Sequence, residues 1–381
     1  MNTTTEQLVG YVNSGGRGTL DLIWSCLVTI CLCTWTIQRP DVVPWTTKKT
    51  AVFRKRIFWM TITLFCPEYL AWVAIDQWQS ARKFKLVQQL GYPSFTMKHA
   101  FYVAMGGLVI QINTQSRTDE HGDPIGKRKT VQYPIYMDDL LILLRSQIIQ
   151  LPEITEQELE ERSKSDNFAR FITAFHVITF VAHSFGRLGS GLPISPLEVS
   201  TLAFVCPAAA IEFFWWKKPL NLRSFTTVQL PAQKEQAFLS LLDSLSLCPS
   251  EQTLADQEDF KTFWGRVSAS KDCVRRAVHI VWIGCIFNGV HIMAWNFKFP
   301  TPVEIWLWRC CSLTACAAIV EQYLALFLGQ QKLTLLLTAG LGTPLYLISR
   351  MYLMVEACVS LRSVSPAMYQ SSSWQKELSF L

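Results

Sequence analysis

The chain has 381 residues, half of them hydrophobic, with 14 tryptophans and only 17% charged residues. That balance weighs against a disordered chain and against ordinary soluble domains, and it points to a membrane class. The formal net charge of +6 is dispersed in short clusters beside apolar runs. It gives no nucleic-acid-binding stripe and reads as a set of topology signals.

Residues 1 to 18 are polar and glycine-rich, so no cleavable signal peptide is expected and the first apolar run is predicted to insert the chain. A helical span needs about 20 mainly apolar residues to cross a core of about 30 Å. On that measure the first span runs from Thr19 to Ile37. The second runs from Arg56 to Trp78 and carries Pro67, which predicts a kinked helix. A short segment from His99 to Ile112 with Gly106-Gly107 fits a short span, a re-entrant hairpin or an interfacial helix. Residues 113 to 134 are polar and turn-rich and predict a soluble loop. Tyr136 to Leu151 has the pattern of an amphipathic surface helix, and Ile154 to Asn167 that of an acidic helix in water. Further spans are predicted at Phe168 to Phe185, Val199 to Trp216, Ala277 to Trp295, Val303 to Leu328 and Leu333 to about Val355.

The fold class expected is therefore all-α, a polytopic transmembrane bundle of seven to eight spans with two sizeable soluble loops. It divides into an extracytoplasmic segment 1–18, membrane regions 19–112, 168–216 and 277–356, cytosolic loops 113–167 and 217–276, and a tail 357–381. Arg39, Lys48, Lys49, Arg54, Lys55 and Arg56 place the loop after the first span in the cytosol. The N-terminus then lies outside, where the sequon at Asn2 would be glycosylated. The basic residues at 82, 83, 85 and 98 run against an eight-span map. Trp72, Trp78, Trp215, Trp216, Trp306 and Trp308 stand near the ends of apolar runs and predict interfacial belts.

Most of the 12 cysteines lie inside apolar runs and none form a Cys-x-x-Cys pair, so they read as small apolar residues and no metal site is expected. Nor is there a Gly-rich nucleotide loop or a Gly-x-Ser-x-Gly elbow. Asp138-Asp139-Leu140-Leu141-Ile142 lacks the later acid of a diphosphate-magnesium motif. No cofactor is expected.

Ionisable groups inside spans cost roughly 2.5–3.5 kcal/mol on insertion scales and mark where function would sit. Glu68, Trp72 and Asp76 follow one helix face, as do His176, His183 and Arg187. Asn288 and His291 share another, and Glu304, Arg309, Glu321, Arg350 and Glu356 give the last spans a balanced set of charges. Glu212, next to the Trp215-Trp216 belt, is within reach of the interface by snorkelling. The candidate catalytic groups are Glu68, His176, His183, Arg309, Glu321 and Arg350. Interhelical hydrogen bonding and ion pairing are the structural alternatives for each.

Several phrases recur as a set: Arg17-Gly18-Thr19-Leu20-Asp21-Leu22-Ile23-Trp24-Ser25-Cys26, Pro67-Glu68, Met105-Gly106-Gly107, Ser163-Lys164-Ser165-Asp166, Gly191-Leu192-Pro193-Ile194, Trp215-Trp216-Lys217-Lys218-Pro219-Leu220 and Arg350-Met351-Tyr352-Leu353. In that order they resemble a large group of multi-pass membrane proteins of filamentous fungi. Some of these stand among genes of specialised metabolism. The resemblance implies a membrane-embedded accessory enzyme, a cofactor-independent cyclase or isomerase acting on an apolar terpenoid or polyketide-derived intermediate. A transporter or receptor-like protein without chemistry is the alternative. Partners expected are a hydrophobic small-molecule substrate, membrane lipid and proteins at the cytosolic loops, with no nucleic acid. The endoplasmic reticulum is the expected membrane and the plasma membrane the alternative.

Overall fold

The computed structural model describes residues 9–12, 17–42, 47–114, 129–163, 167–220, 222–230, 232–244, 273–327 and 338–370. Asn2, residues 245–272 of the second expected loop and most of the C-terminal tail lie outside them. The chain is mostly helical. Where apolar residues run unbroken, long helices form: α1 (Thr19–Thr36), α8 (Asn167–Gly189), α9 (Pro196–Phe214), α11 (Cys273–Ile292), α12 (Pro302–Phe327) and α13 (Thr343–Val359). Among the described residues five helical stretches are long and apolar enough to cross a membrane: Thr19–Thr36, Phe168–Gly189, Pro196–Phe214, Pro302–Gln322 and Gly340–Arg362. In α11 only the shorter stretch Val281–Ile292 is apolar. The start of α9 shows the local chemistry well. Pro196 takes the first helical position, the Ser195 hydroxyl accepts from Glu198 N at 3.1 Å, and Glu198 Oε2 accepts from Ser195 N at 2.8 Å.

Among the described residues there are five candidate spans, or six where a bent helix pair is one span, and two of the expected spans take another form. The predicted second span is two helices, α2 (Lys49–Phe65) and α3 (Pro67–Ala81), bent by 109° at Cys66. Pro67 stands at the start of α3, where its missing N–H costs nothing, so the chain breaks and turns rather than kinks. The segment from His99 to Ile112 is not one long helix. It holds the short helix α5 (Met97–Ala104), a turn, and the strand β1 (Leu108–Thr114). Gly106 adopts φ +75°, and a methyl group on Gly107 would fall 2.3 Å from the Tyr102 ring, so the turn needs both glycines.

β1 is the centre of a three-stranded sheet. It pairs antiparallel with β2 (Lys129–Pro134) and parallel with β3 (Thr226–Gln229). Leu108, Val109 and Ile110 are all buried, as a strand covered on both faces requires. Around it pack α4 (Phe84–Gln89), α5, α6 (Met137–Arg145), α7 (Glu156–Arg162) and α10 (Ala232–Ser244), whose buried residues merge with those of α3 and the end of α9 in one core. The two predicted loops are thus parts of one body. The Tyr102 hydroxyl donates to Ser224 O at 3.2 Å, and Lys98 joins α5 to Glu156 at 2.7 Å.

That body sits at one end of the helix bundle, the sheet end. Buried Arg39, just after α1, donates to Lys218 O at 2.9 Å and pairs with Glu212 at 2.7 Å, and Arg170 at the start of α8 pairs with the same carboxylate at 2.8 Å. Glu212 therefore does not snorkel; it clamps two helices to α9. Lys218 Nζ, buried beside the Trp215 ring, donates to Arg39 O at 2.8 Å and to Gln77 Oε1 at 2.9 Å. Burial lowers its pKa to about 8, against the opposing pull of Asp41. Burial likewise lowers Arg39 to about 10, against the pull of Glu212. At the far end, Arg17 pairs with Glu198 at 2.6 Å, Arg187 donates to the carbonyls of Pro193, Met368 and Gln370, and Val9 bridges Val364. The two ends of the described chain therefore lie together, away from the sheet.

The α2–α3 pair starts and finishes at the sheet end. Trp35 of α1 meets Phe53 of α2 at 6.2 Å, and Trp78 of α3 meets Phe214 at the end of α9 at 5.3 Å. Between these, Leu64 packs with Ile30, Ala203, Phe204 and Phe287, which stand well inside α1, α9 and α11. The outer ends of α2 and α3 thus lie at the sheet end, and the bend between them lies among the helices.

Trp216 and Trp306 are exposed on the bundle surface, as belts require. Trp72, Trp215 and Trp308 are core residues instead, buried by neighbouring helices whose positions the sequence does not display.

Candidate functional site

The turn at Cys66 has a chemical cause and a consequence. Cys66 adopts φ −134° and ψ 63°, outside the helical region, and its N–H still bonds Ile62 O at 2.7 Å. Pro67 has no N–H to continue the ladder, which frees carbonyls at the end of α2. The Tyr346 hydroxyl, on α13, reaches Phe65 O at 3.1 Å and Glu68 Oε1 at 2.5 Å. A phenol has one proton. That proton is shared between the Phe65 carbonyl and the Glu68 carboxyl.

One turn further along α13, Arg350 is fully buried. Its guanidinium lies 4.3 Å from the Phe287 ring centre and 5.7 Å from that of Phe204, and its Nη1 is 3.2 Å from His291 Nε2. His291 Nδ1 is 3.2 Å from Phe287 O. A carbonyl only accepts, so the ring carries its proton on Nδ1 and offers the Nε2 lone pair to Arg350. Trp308 Nε1 donates to His291 O at 3.1 Å, and Asn288 Nδ2 donates to Gly284 O at 2.8 Å.

Four polar atoms in this buried group have no hydrogen-bond partner: Glu68 Oε2, Asn288 Oδ1, Arg350 Nε and Arg350 Nη2. Among the described residues no carboxylate stands within ion-pair distance of Arg350. The Arg350 guanidinium thus has a neutral imidazole beside it and no ion-pair partner among the described residues. Burying polar groups without partners costs about 1–3 kcal/mol each, so such a concentration marks a site rather than a packing solution.

Of the six expected catalytic residues, the structure brings together Glu68 and Arg350. His176 lies on α8, where its Nε2 is 3.0 Å from the Thr29 hydroxyl of α1, a bond between helices. His183 stands farther along α8, half-buried near the far end. Arg309 Nε donates to Trp295 O at 3.0 Å, with its guanidinium near the rings of Trp295 and Trp306. Glu321 fits against Gly342, where an added methyl would fall 2.5 Å from its Oε2. These four belong to other contacts. The structure adds Tyr346, and it gives Asn288 and His291, expected only to share a helix face, their partners. Among the described residues no three His, Cys, Asp or Glu side chains converge on a metal position.

A second feature lies at the sheet end: an open cleft of about 360 Å³ lined by Trp78, Met97, Phe213, Phe214, Trp216 and Lys217. It has the aromatic and cationic lining of a membrane interface.

No curated protein and no solved structure matches the chain. A family model matches residues 2–263, which include Glu68, His176 and His183, whereas Asn288, His291, Tyr346 and Arg350 follow the matched part. The chain belongs to that family, a family of unknown function (DUF8562).

Proposed function

We propose that the chain is an integral membrane protein in which α2 and α3 form a re-entrant hairpin, with the Glu68, Tyr346, Arg350 and His291 group as an intramembrane active site. The observation that carries the reading is the convergence of these polar side chains, several with unpartnered atoms, at the turn of the hairpin inside an apolar bundle. The outward apolar side chains of α8, Phe168, Phe171, Phe175, Ile178 and Phe185, are exposed and suit contact with lipid.

The hairpin also reconciles the charges. Because it returns to the sheet end, the basic residues from Arg39 to Arg56 and those at 82, 83, 85 and 98 all fall on one side, with both loops. By the positive-inside rule that side is the cytosol, and with α11 as a sixth crossing beside the five longer apolar stretches the N-terminal segment with Asn2 and the C-terminal segment face the lumen. The endoplasmic reticulum is the membrane proposed, with partner proteins meeting the sheet end.

The chemistry proposed is cyclisation or isomerisation of an apolar, terpenoid or polyketide-derived intermediate. The Glu68 carboxyl gives a proton to one atom of the substrate and its carboxylate takes one from another, with Tyr346 as the relay. The formula of the substrate is unchanged, so no redox cofactor is needed. The unpartnered edge of Arg350 holds an oxygen of the substrate and fixes its pose.

The test is metabolite profiling of a host supplied with the pathway intermediate and expressing the chain at matched membrane levels. A product is expected with wild type and with His183→Ala, and a loss of about 10²–10⁴-fold with Glu68→Gln. A product indifferent to Glu68→Gln would overturn the site. A broken helix reaching the middle of a bundle also favours a second reading, transport. Altered export without new product would select it.

A further inference from the structure

The ligand class of this site can be taken further, resting on the reading of the group as a ligand site. We propose that Arg350 receives a carboxylate, so that the molecule bound is an apolar carboxylic acid whose hydrocarbon part lies among the aromatic and aliphatic side chains of the bundle.

The first ground is the shape of what is unpartnered. Arg350 spends Nη1 on His291 and leaves Nε and Nη2 free. Those two nitrogens share one edge of the guanidinium, and their N–H bonds point the same way. That edge matches the two oxygens of a carboxylate, which is how arginine recognises planar anions side-on. A single carbonyl or hydroxyl oxygen would have to be shared between the two donors, at poorer angles for each.

The second ground is charge. The Arg350 guanidinium has no carboxylate within ion-pair distance among the described residues, and the imidazole beside it is neutral through its bond to Phe287 O. The start of α3 lies at the same turn and adds the positive end of a helix dipole. A neutral ligand leaves this positive group as it is, whereas one carboxylate cancels it. The walls exclude a strongly polar remainder: Phe204, Phe287 and Trp308 are buried around the arginine and the imidazole.

Glu68 is the internal competitor for this role, because it lies within electrostatic reach of Arg350. The experiment separates the two. Radiolabelled oleate is the probe, with full-length protein in nanodiscs of neutral lipid, and methyl oleate is the competitor. Saturable binding to wild type is expected, unaffected by a large excess of the ester. Arg350→Gln should weaken it by about 30-fold or more, and Arg350→Lys, which keeps the charge but loses the edge, by about 10-fold. His183→Ala, away from the group on α8, should bind within about threefold of wild type.

Competition by the ester equal to that by the acid would overturn the proposal, as would wild-type binding by a folded Arg350→Gln protein. The acid and ester comparison uses wild type alone, so it decides the matter even where a variant fails to fold. Binding at equilibrium needs no turnover. Oleate bound by this edge in a chain that forms no product would retire the enzymatic reading and leave the carboxylate site standing.

Discussion

Trp308→Ala is expected to lower the stability of the bundle by about 3–5 kcal/mol, seen as a fall in the midpoint of thermal unfolding in detergent. The residue is fully buried, with its ring 5.2 Å from Phe299 and 6.2 Å from His291. Two losses add. The smaller side chain leaves a cavity between α11 and α12 that their backbones cannot close, and His291 O loses the indole donor that reaches it at 3.1 Å. Trp308→Phe separates the two, because it keeps most of the packing and removes only the donor, for an expected cost of about 1–3 kcal/mol. An alanine variant as stable as wild type would show that this indole is at the lipid surface, as the belt expectation had it.

Arg350→Met is expected to act in the opposite direction. An uncompensated buried charge costs about 3–5 kcal/mol. The two ring contacts return up to about 2 kcal/mol when desolvated. Methionine fills a similar volume, brings no charge and adapts to the gap. The ligand-free variant should therefore unfold at a higher temperature than wild type, by the equivalent of about 1–2 kcal/mol, while product formation and oleate binding are lost. Gain in stability with loss of function is the signature of a residue kept for its ligand. A variant that is markedly less stable would make Arg350 a structural residue whose bond to His291 and ring contacts outweigh its charge.

The membrane class and most of the long helices were legible because an apolar run about 20 residues long is a local property. The expected spans Thr19 to Ile37, Val199 to Trp216 and Val303 to Leu328 differ from the helices Thr19–Thr36, Pro196–Phe214 and Pro302–Phe327 by a few residues at each end. What depended on distant partners was not legible. Leu108–Thr114 is a strand only because residues 129–134 and 226–229 come to lie beside it, and nothing within a helical window signals that. Pro67 illustrates a different ambiguity, since proline reads alike whether it kinks one helix or begins a second.

The site divides along the same line. Glu68 and Arg350 were visible because a charge inside an apolar run demands explanation. Tyr346 was not, because tyrosine is ordinary in such a run and its role comes from Phe65 and Glu68, far away in sequence. His176 carried the same signal as His291, but its partner is a threonine on the adjacent helix. The residue type showed that a partner was needed, and only the fold showed which one.

The central claim is that α2 and α3 turn back inside the bundle, and mapping with glycosylation-acceptor cassettes inserted singly after Lys48, Lys83 and Gly191 tests it most directly. The account predicts that the cassettes after Lys48 and Lys83 both stay unmodified, on the cytosolic side, while the one after Gly191 is glycosylated. Modification of the Lys83 cassette alongside an unmodified Lys48 cassette would make α2 and α3 a complete crossing and remove the turn on which the intramembrane site depends.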